Sequence, residues 1–231
     1  MTGTTRTITV HIRRGDRAGE ETFRVAAADP VTVLDLLREI QRAQDPSLGF
    51  RYSCRVAMCG TCAVRVNGRS ALACRAVLEH HAETVEVAPL AGLPVIRDLV
   101  VDMRPFWRQW TRVQPWFVRR DHGDGRVPVG SDDDNALART LGCIGCGACY
   151  SSCEIAGRGN DYLGPAALNR ALALIADPRD GAGTDRLAVI AGASGVDRCH
   201  YIGACTPACP IGLDPARSIG ELRRLRLTRH A

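Results

Sequence analysis

Eleven cysteines fall into three runs, and their spacing is the part of the chain that could do chemistry. Cys143, Cys146, Cys149 and Cys153 read C-x2-C-x2-C-x3-C, the ligand spacing of a bacterial ferredoxin cluster. Gly145, Gly147 and Ala148 lie between them, and small residues let backbone approach a bulky inorganic cube and donate N–H groups to its sulfides. Zinc is the other reading of clustered thiols, but it wants two separated pairs of ligands rather than four in one short run.

The second run, Cys199-x2-Ile202-x2-Cys205-x3-Cys209-Pro210, repeats that spacing with Ile202 where the second thiol would stand. Where two clusters are bound by such runs, the fourth cysteine of each run ligates the cluster of the other. The crossover assembles Cys143, Cys146, Cys149 and Cys209 around a [4Fe–4S] cluster. It leaves Cys153, Cys199 and Cys205 one ligand short. A cubane held by three thiolates tends to lose its unprotected corner iron, so this set predicts [3Fe–4S], with a potential raised by the missing negative charge. The rival is a cube that keeps an open iron, binds water there and acts as a Lewis acid. The third run, Cys54-x4-Cys59-x2-Cys62-x11-Cys74, has plant-type [2Fe–2S] spacing. Sets of four, four and three account for all eleven cysteines. His80 and His81 do not make a Rieske centre, because all four thiols are present; they read as loop residues.

The elements that must position these thiols are legible around them. Ile8, Val10 and Ile12 alternate with polar residues as a half-buried strand, and Phe23 and Val25 repeat the pattern after a Gly/Asp-rich turn. Thr32 and Asp35 make a capping box for a helix striped by Val33, Leu36, Leu37 and Ile40, which ends near Asp45-Pro46. Val64 and Val66 run into Asn67-Gly68, a hairpin signal, and Val85 and Val87 form a further strand. Strands, one helix and more strands describe a β-grasp domain over residues 1–92, with the cysteine cluster of Cys54, Cys59, Cys62 and Cys74 expected on the loop between helix and hairpin. Ala91-Gly92-Leu93-Pro94 reads as a linker, and residues 93–231 read as an all-α ferredoxin-like domain, so the fold class is α+β.

In that second domain Pro105, Phe106, Trp107 and Trp110 form an aromatic segment expected to pack between the domains. Asp132, Asp133 and Asp134 are expected just ahead of a helix from Asn135 to Leu141, where acid complements the helix dipole. Pro165 opens a helix with Leu168, Leu172 and Ile175, and Asp214-Pro215 opens the last one with Ile219, Leu222 and Leu225 buried. Arg223, Arg224, Arg226 and Arg229 near its end read as a solvated face, with contact to lipid headgroups as the alternative.

Composition fits a soluble two-domain chain: 231 residues, 45% hydrophobic and 24% charged. No stretch approaches the ~18–20 apolar residues of a membrane span. A strand pattern starting almost at once leaves no room for a cleaved targeting segment, and the thiol spacings predict reduced cysteines in a cytosolic compartment. The net charge of +5 comes wholly from arginine, since the chain has no lysine; it suits an acidic partner or anionic lipid only weakly, and no nucleic-acid partner is expected. No acid–base pair or activated nucleophile stands out, and Gly181-Ala-Gly183 lacks the third glycine and the strand–turn–helix setting of a dinucleotide site. Three clusters without a substrate site make an electron conductor, with the chemistry on its partners.

Ser53-Cys54-Arg55 with Cys59-Gly60, the segment Pro94-Val-Ile-Arg-Asp-Leu-Val-Val-Asp-Met103, and Cys205-x3-Cys209-Pro210 resemble the iron–sulfur subunit of succinate dehydrogenase and fumarate reductase across nearly the whole chain. The resemblance implies a flavoprotein partner with covalent FAD and the dicarboxylate site, and a membrane anchor, in some cases haem-bearing, with quinone. It implies a peripheral place on the cytoplasmic face of a bacterial membrane, and electron flow between succinate or fumarate and quinone as in respiratory complex II. His200 and Ile202 match family positions beside the [3Fe–4S] cluster and the quinone; for Ile202, packing over the open corner is the simpler role and is compatible with both. The run Cys153-Glu154-Ile155-Ala156-Gly157-Arg158 departs from the family, where many members have Cys-Pro and an aromatic segment whose Trp binds ubiquinone. That departure points toward menaquinone or a different anchor. A soluble subunit of a thiol-linked cytosolic fumarate reductase is the alternative.

Overall fold

The computed structural model describes residues 5–16, 19–120 and 125–229. It divides into two compact units: residues 1–103 with 144–151, and residues 104–143 with 152–231. The segment following Gly92 therefore stays with the first unit as far as Met103.

Unit one is a five-stranded sheet covered by a helix. Its strands are β1 (Thr5–Ile12), β2 (Glu21–Ala28), β3 (Ala63–Val66), β4 (Arg69–Leu72) and β5 (Thr84–Ala88), in the order β2-β1-β5-β3-β4. β1 and β5 run parallel and the other pairs antiparallel, the β-grasp arrangement. Period-two alternation sends Ile8, Val10, Ile12, Val85 and Val87 to one face, all essentially solvent-free. Helix α1 (Val33–Ala43) lays Val33, Leu34, Leu36, Leu37 and Ile40 on that face. Its capping box is formed as expected: Asp35 N donates to Thr32 Oγ1 at 3.2 Å, and Thr32 N donates to Asp35 Oδ2 at 3.0 Å. Asn67 (φ 48°) and Gly68 (φ 79°) both take the left-handed conformation that a two-residue hairpin turn requires.

Just beyond the expected linker lies a second, small sheet: β6 (Val95–Arg97) pairs with β7 (Val100–Val101). The hairpin is held by charge. Asp98, fully buried with φ 49°, accepts from Arg14 Nη1 at 2.9 Å and from Gly49 N at 2.6 Å, and the Arg14 guanidinium also meets Glu21 and Asp45. A guanidinium shared among three carboxylates is a buried charge with its hydrogen bonds satisfied, the condition under which burial is tolerated. Gly49 begins the chain's approach to the first thiol loop, so this clamp fixes that loop at its root. Helix α4 (Ala148–Ser151), on the segment 144–151, belongs to the same unit.

Unit two is helical: α2 (Arg104–Arg112), α3 (Asp132–Ala138), α5 (Gly164–Ile175), α6 (Gly183–Ala191), a 3-10 turn (Val196–Arg198) and α7 (Pro215–Arg229). Helix α5 is buried nearly all round, as an apolar helix at the middle of a bundle must be. Its alanines at 166, 167, 171 and 173 let α7 approach closely, where Ile219 and Leu222 are buried and Leu225 is half-buried. The buried Asn169 is satisfied on both sides, donating to Thr140 O at 2.9 Å and accepting from Ser218 Oγ at 2.9 Å.

Two expectations change here, and one helix is added that the amino-acid pattern did not announce. Helix α3 begins at Asp132 rather than Asn135, because Ser131 caps it and accepts from Asp134 N at 3.2 Å; the three aspartates form its first turn. Gly183 opens the added helix, α6, which is anchored by the fully buried Arg186; that residue pairs with Asp180 and donates to Trp116 O at 2.7 Å. The arginines of α7 are not a uniformly solvated face. Arg223 donates to Val196 O at 2.8 Å and Cys199 O at 2.7 Å, and Arg226 pairs with Asp197. Arg224 is exposed, and the side chain of Arg229 lies outside the described residues.

Candidate iron–sulfur centres

The first thiol loop is irregular backbone from Phe50 to Gly60, shaped by residues in the left-handed region: Arg55 (φ 60°), Ala57 (φ 60°) and Gly60 (φ 70°). These turns aim successive amides at one sulfur. Cys54 Sγ accepts from Val56 N at 3.5 Å, Met58 N at 3.3 Å and Cys59 N at 3.4 Å. A nest of N–H groups around one sulfur is an anion site, suited to a metal-bound thiolate. The eleven residues between Cys62 and Cys74 are explained by the β3–β4 hairpin. Its ladder pairs Ala63 with Leu72, and Ala73 N donates to Cys62 O at 3.0 Å, so the fourth thiol returns beside the third. The Thr61 hydroxyl, then backbone at Cys54 and Thr61, hold the exposed Cys59 thiol down at about 6, whereas burial pushes Cys62 up to about 11. His80 is exposed and pairs with Asp29, and His81 with Glu79, so both are loop residues.

Gly60 carries a second constraint. A Cβ built on it would lie 2.8 Å from Cys146 Cβ and 3.0 Å from Cys146 Cα. The loop that bears Cys59 and Cys62 thus abuts Cys146 backbone to backbone, within unit one. Cys146 and Ile144 also pack on the sheet's core, and Ala91 N donates to Ser151 Oγ at 2.8 Å. Of the expected [4Fe–4S] ligands, Cys146 and Cys149 lie in unit one, Cys143 and Cys209 in unit two.

Cys153, Cys199 and Cys205 come together inside unit two. They line one pocket with Tyr162, His200 and Ile202. Burial raises the Cys205 thiol to about 11, and negative charge at Cys153 and Cys199 adds to the shift, which marks the three sulfurs as electrostatic neighbours. Ile202 and His200 are exposed residues at the edge of this pocket. Two residues that spacing could not reveal complete the site. Arg223 ties Cys199 O to α7 and stacks over Tyr201 at 4.5 Å; Tyr162 buries its hydroxyl in the pocket's wall. The only sequence signal for either was a basic run and a lone aromatic before Gly164-Pro165.

These residues fit iron–sulfur clusters. Among the described residues no three His, Cys, Asp or Glu side chains converge tightly enough to hold a single metal ion. Thiolates of a cluster are divided among two or more irons instead of converging on one, and they need amide donors nearby. Such donors are present at Cys54, and again at Cys153, which accepts from Ala156 N at 3.5 Å, and at Cys199, which accepts from Tyr201 N at 3.4 Å.

The family described as "2Fe-2S iron-sulfur cluster binding domain" matches residues 9–108, and that described as "4Fe-4S dicluster domain" matches residues 139–213. The succinate dehydrogenase [ubiquinone] iron-sulfur subunit 1, mitochondrial, of Oryza sativa subsp. japonica is 40% identical over 199 residues, 84% of this chain and 71% of that one. The fumarate reductase iron-sulfur subunit of Mycobacterium tuberculosis is 39% identical over 200 residues, 85% of this chain and 80% of that one. A chain of the Mycobacterium smegmatis Sdh1 complex in the apo form superposes with a TM-score of 0.87 at 27% identity, covering 98% of both chains. A ferredoxin-type domain followed by a dicluster domain, at this identity and coverage, makes the chain a member of the family of iron–sulfur subunits of succinate dehydrogenase and fumarate reductase.

Proposed function

We propose that this chain conducts electrons between a flavoprotein carrying FAD and a quinone at a membrane, in a complex II-type succinate:quinone oxidoreductase or fumarate reductase. Cys54, Cys59, Cys62 and Cys74 would hold [2Fe–2S]; Cys143, Cys146, Cys149 and Cys209 would hold [4Fe–4S]; Cys153, Cys199 and Cys205 would hold [3Fe–4S]. When bound, the clusters supply one-electron storage that no amino-acid side chain here offers. The chain's own residues set the ligand number, bury the thiols of Cys62, Cys149 and Cys205, and present the surfaces that partners would meet.

The observation that carries this reading is the pocket in which three thiols gather with Ile202, rather than a fourth thiol, on the Cys199–Cys205 loop. A flavoprotein partner is supported by exposed apolar side chains on the first thiol loop, Val56 at 65% and Met58 at 72% exposure. A membrane anchor and quinone are supported by Tyr201 and Ile202, exposed at 48% and 62%, beside His200. Among the described residues no helix is long and apolar enough to cross a membrane, which suits a peripheral position on the cytoplasmic face held by anchor subunits.

The test is purification of the native complex followed by EPR. Expected are a co-purifying covalent flavin and hydrophobic anchors, a [3Fe–4S] signal in the oxidised protein and a [2Fe–2S] signal after dithionite reduction. A complex without anchors would instead identify a soluble reductase, and zinc in place of iron would end the proposal.

A further inference from the structure

Tyr162 is the one buried side chain among the described residues whose polar atom finds no hydrogen-bond partner. The residue is 1% exposed, and its ring stands in the wall of the pocket shared by Cys153, Cys199 and Cys205. Its position is over-determined by the backbone. Tyr162 N donates to Asn160 Oδ1 at 3.0 Å, and Leu163 N donates to Ser194 O at 2.9 Å. The preceding Asp161 is held by Arg112 Nη1 at 2.8 Å and Ser194 Oγ at 2.6 Å. The following Gly164-Pro165 starts α5. The backbone that carries the buried phenol is thereby fixed at the start of that helix.

A buried hydroxyl without a partner destabilises a fold that phenylalanine would suit at the same volume. A phenol is protonated at neutral pH, its ordinary value being about 10, so the oxygen is a donor. The groups it faces in that pocket are the sulfurs of Cys153, Cys199 and Cys205, so the acceptor is a sulfur at or between them.

Resting on the assignment of Cys153, Cys199 and Cys205 to a [3Fe–4S] cluster, we infer that the Tyr162 hydroxyl is a hydrogen-bond donor to a sulfur of that cluster and raises its reduction potential. A hydrogen bond to sulfur strengthens as charge accumulates there, so the donor favours the reduced state. Net charge and hydrogen bonds to the sulfurs are both controls of cluster potential, and Ile202 in place of a thiolate acts in the same direction as the phenol. In the step itself one electron enters the cluster, no bond is made or broken, and the proton stays on the Tyr162 oxygen.

The experiment is an EPR redox titration of the intact complex carrying Tyr162→Phe. Its [3Fe–4S] signal should keep its shape and amount, while the oxidised-to-reduced ratio at a fixed ambient potential rises about tenfold, a downward shift of ~59 mV for a one-electron couple. The [2Fe–2S] midpoint should not move, which separates a local hydrogen bond from general damage. A normal [3Fe–4S] signal with an unmoved midpoint overturns the role of Tyr162 and leaves the ligand assignment standing. No [3Fe–4S] signal in the unmodified complex overturns the assignment and the inference together. Should Y162F fail to assemble, the unmodified complex decides. After brief exchange into D2O, when hydroxyls but not protected amides have exchanged, pulsed EPR of the oxidised cluster should detect a coupled deuteron; its absence overturns the inference.

Discussion

In the proposed assignment Ile202 sets which cluster its loop holds, and it would do so from an exposed position. At 62% exposure it carries little packing energy, so Ile202→Cys should change stability by no more than about 0.5 kcal/mol. The same substitution restores a fourth thiol, and it should convert most of the oxidised [3Fe–4S] EPR signal into a [4Fe–4S] signal on reduction. An unchanged cluster type would remove Ile202 from the fourth-ligand position. Gly60 is the opposite kind of residue, buried and without tolerance. Its φ of 70°, and the 2.8 Å that would separate an added Cβ from Cys146 Cβ, exclude any side chain. Gly60→Ala should cost at least ~1–2 kcal/mol from the left-handed backbone alone. It should also disturb the EPR spectra of both the cluster on that loop and the one ligated by Cys146. Thermal unfolding followed by EPR of the reduced protein checks both effects; a variant with wild-type stability and spectra would show that the two backbones can part at no cost.

Individual elements bring ligands together that spacing alone leaves far apart. The β3–β4 hairpin returns Cys74 to Cys62, and α7 fixes the loop of Cys199 and Cys205 from two points. One is Arg223. The other is Asp214 at the start of α7, which accepts from Arg217 N at 3.0 Å and Thr206 Oγ1 at 2.6 Å. The Thr206 hydroxyl first, then the Arg217 amide, hold the Asp214 carboxyl below its ordinary value of 3.8. A depressed carboxylate contributes stability that is complete above that ordinary value and is lost as pH falls through the lower, folded one. Helical circular dichroism of the wild type should therefore show a stability loss that steepens below about pH 4. Asp214→Asn keeps a capping acceptor but cannot titrate, and it should flatten that part of the profile. Asp214→Ala should be less stable by roughly 0.5–2 kcal/mol at every pH. Parallel acid profiles for wild type and Asp214→Asn would rule out the carboxylate as the sensor.

At the scale of the whole chain, the two units depend on metal to different degrees. The core of unit one is the sheet and α1, built from Ile8, Val10, Ile12, Leu36, Leu37 and Ile40 with few thiols among them. Unit two has five cysteines on the loops that join α3, α5 and α7. Metal binding to ligands that would otherwise repel one another contributes directly to folding. Chelation of iron under reducing conditions should leave amides of β1 and β5 protected from hydrogen exchange. Amides of the Cys199–Cys209 loop and the start of α7 should lose protection by orders of magnitude. Equal loss in both units would show that the sheet also depends on its cluster.

Local signals in the amino-acid chain were enough for the two cluster-binding domain types and the β-grasp order, because cysteine spacing, period-two alternation, a capping box and Asn67-Gly68 all lie within short stretches. They could not place what depends on residues distant along the chain. The Arg14–Asp98 clamp joins positions 84 residues apart, and the β6–β7 hairpin it holds was not legible because its strands are only three and two residues long. Arg223 looked like a solvated charge until α7 met the Cys199 loop, and Tyr162 became conspicuous only when burial left its hydroxyl without a partner. Spacing selects the metal chemistry, since ligands close in sequence must share a site. Tertiary packing decides which polar groups face that site, since burial is what makes an unpaired donor costly.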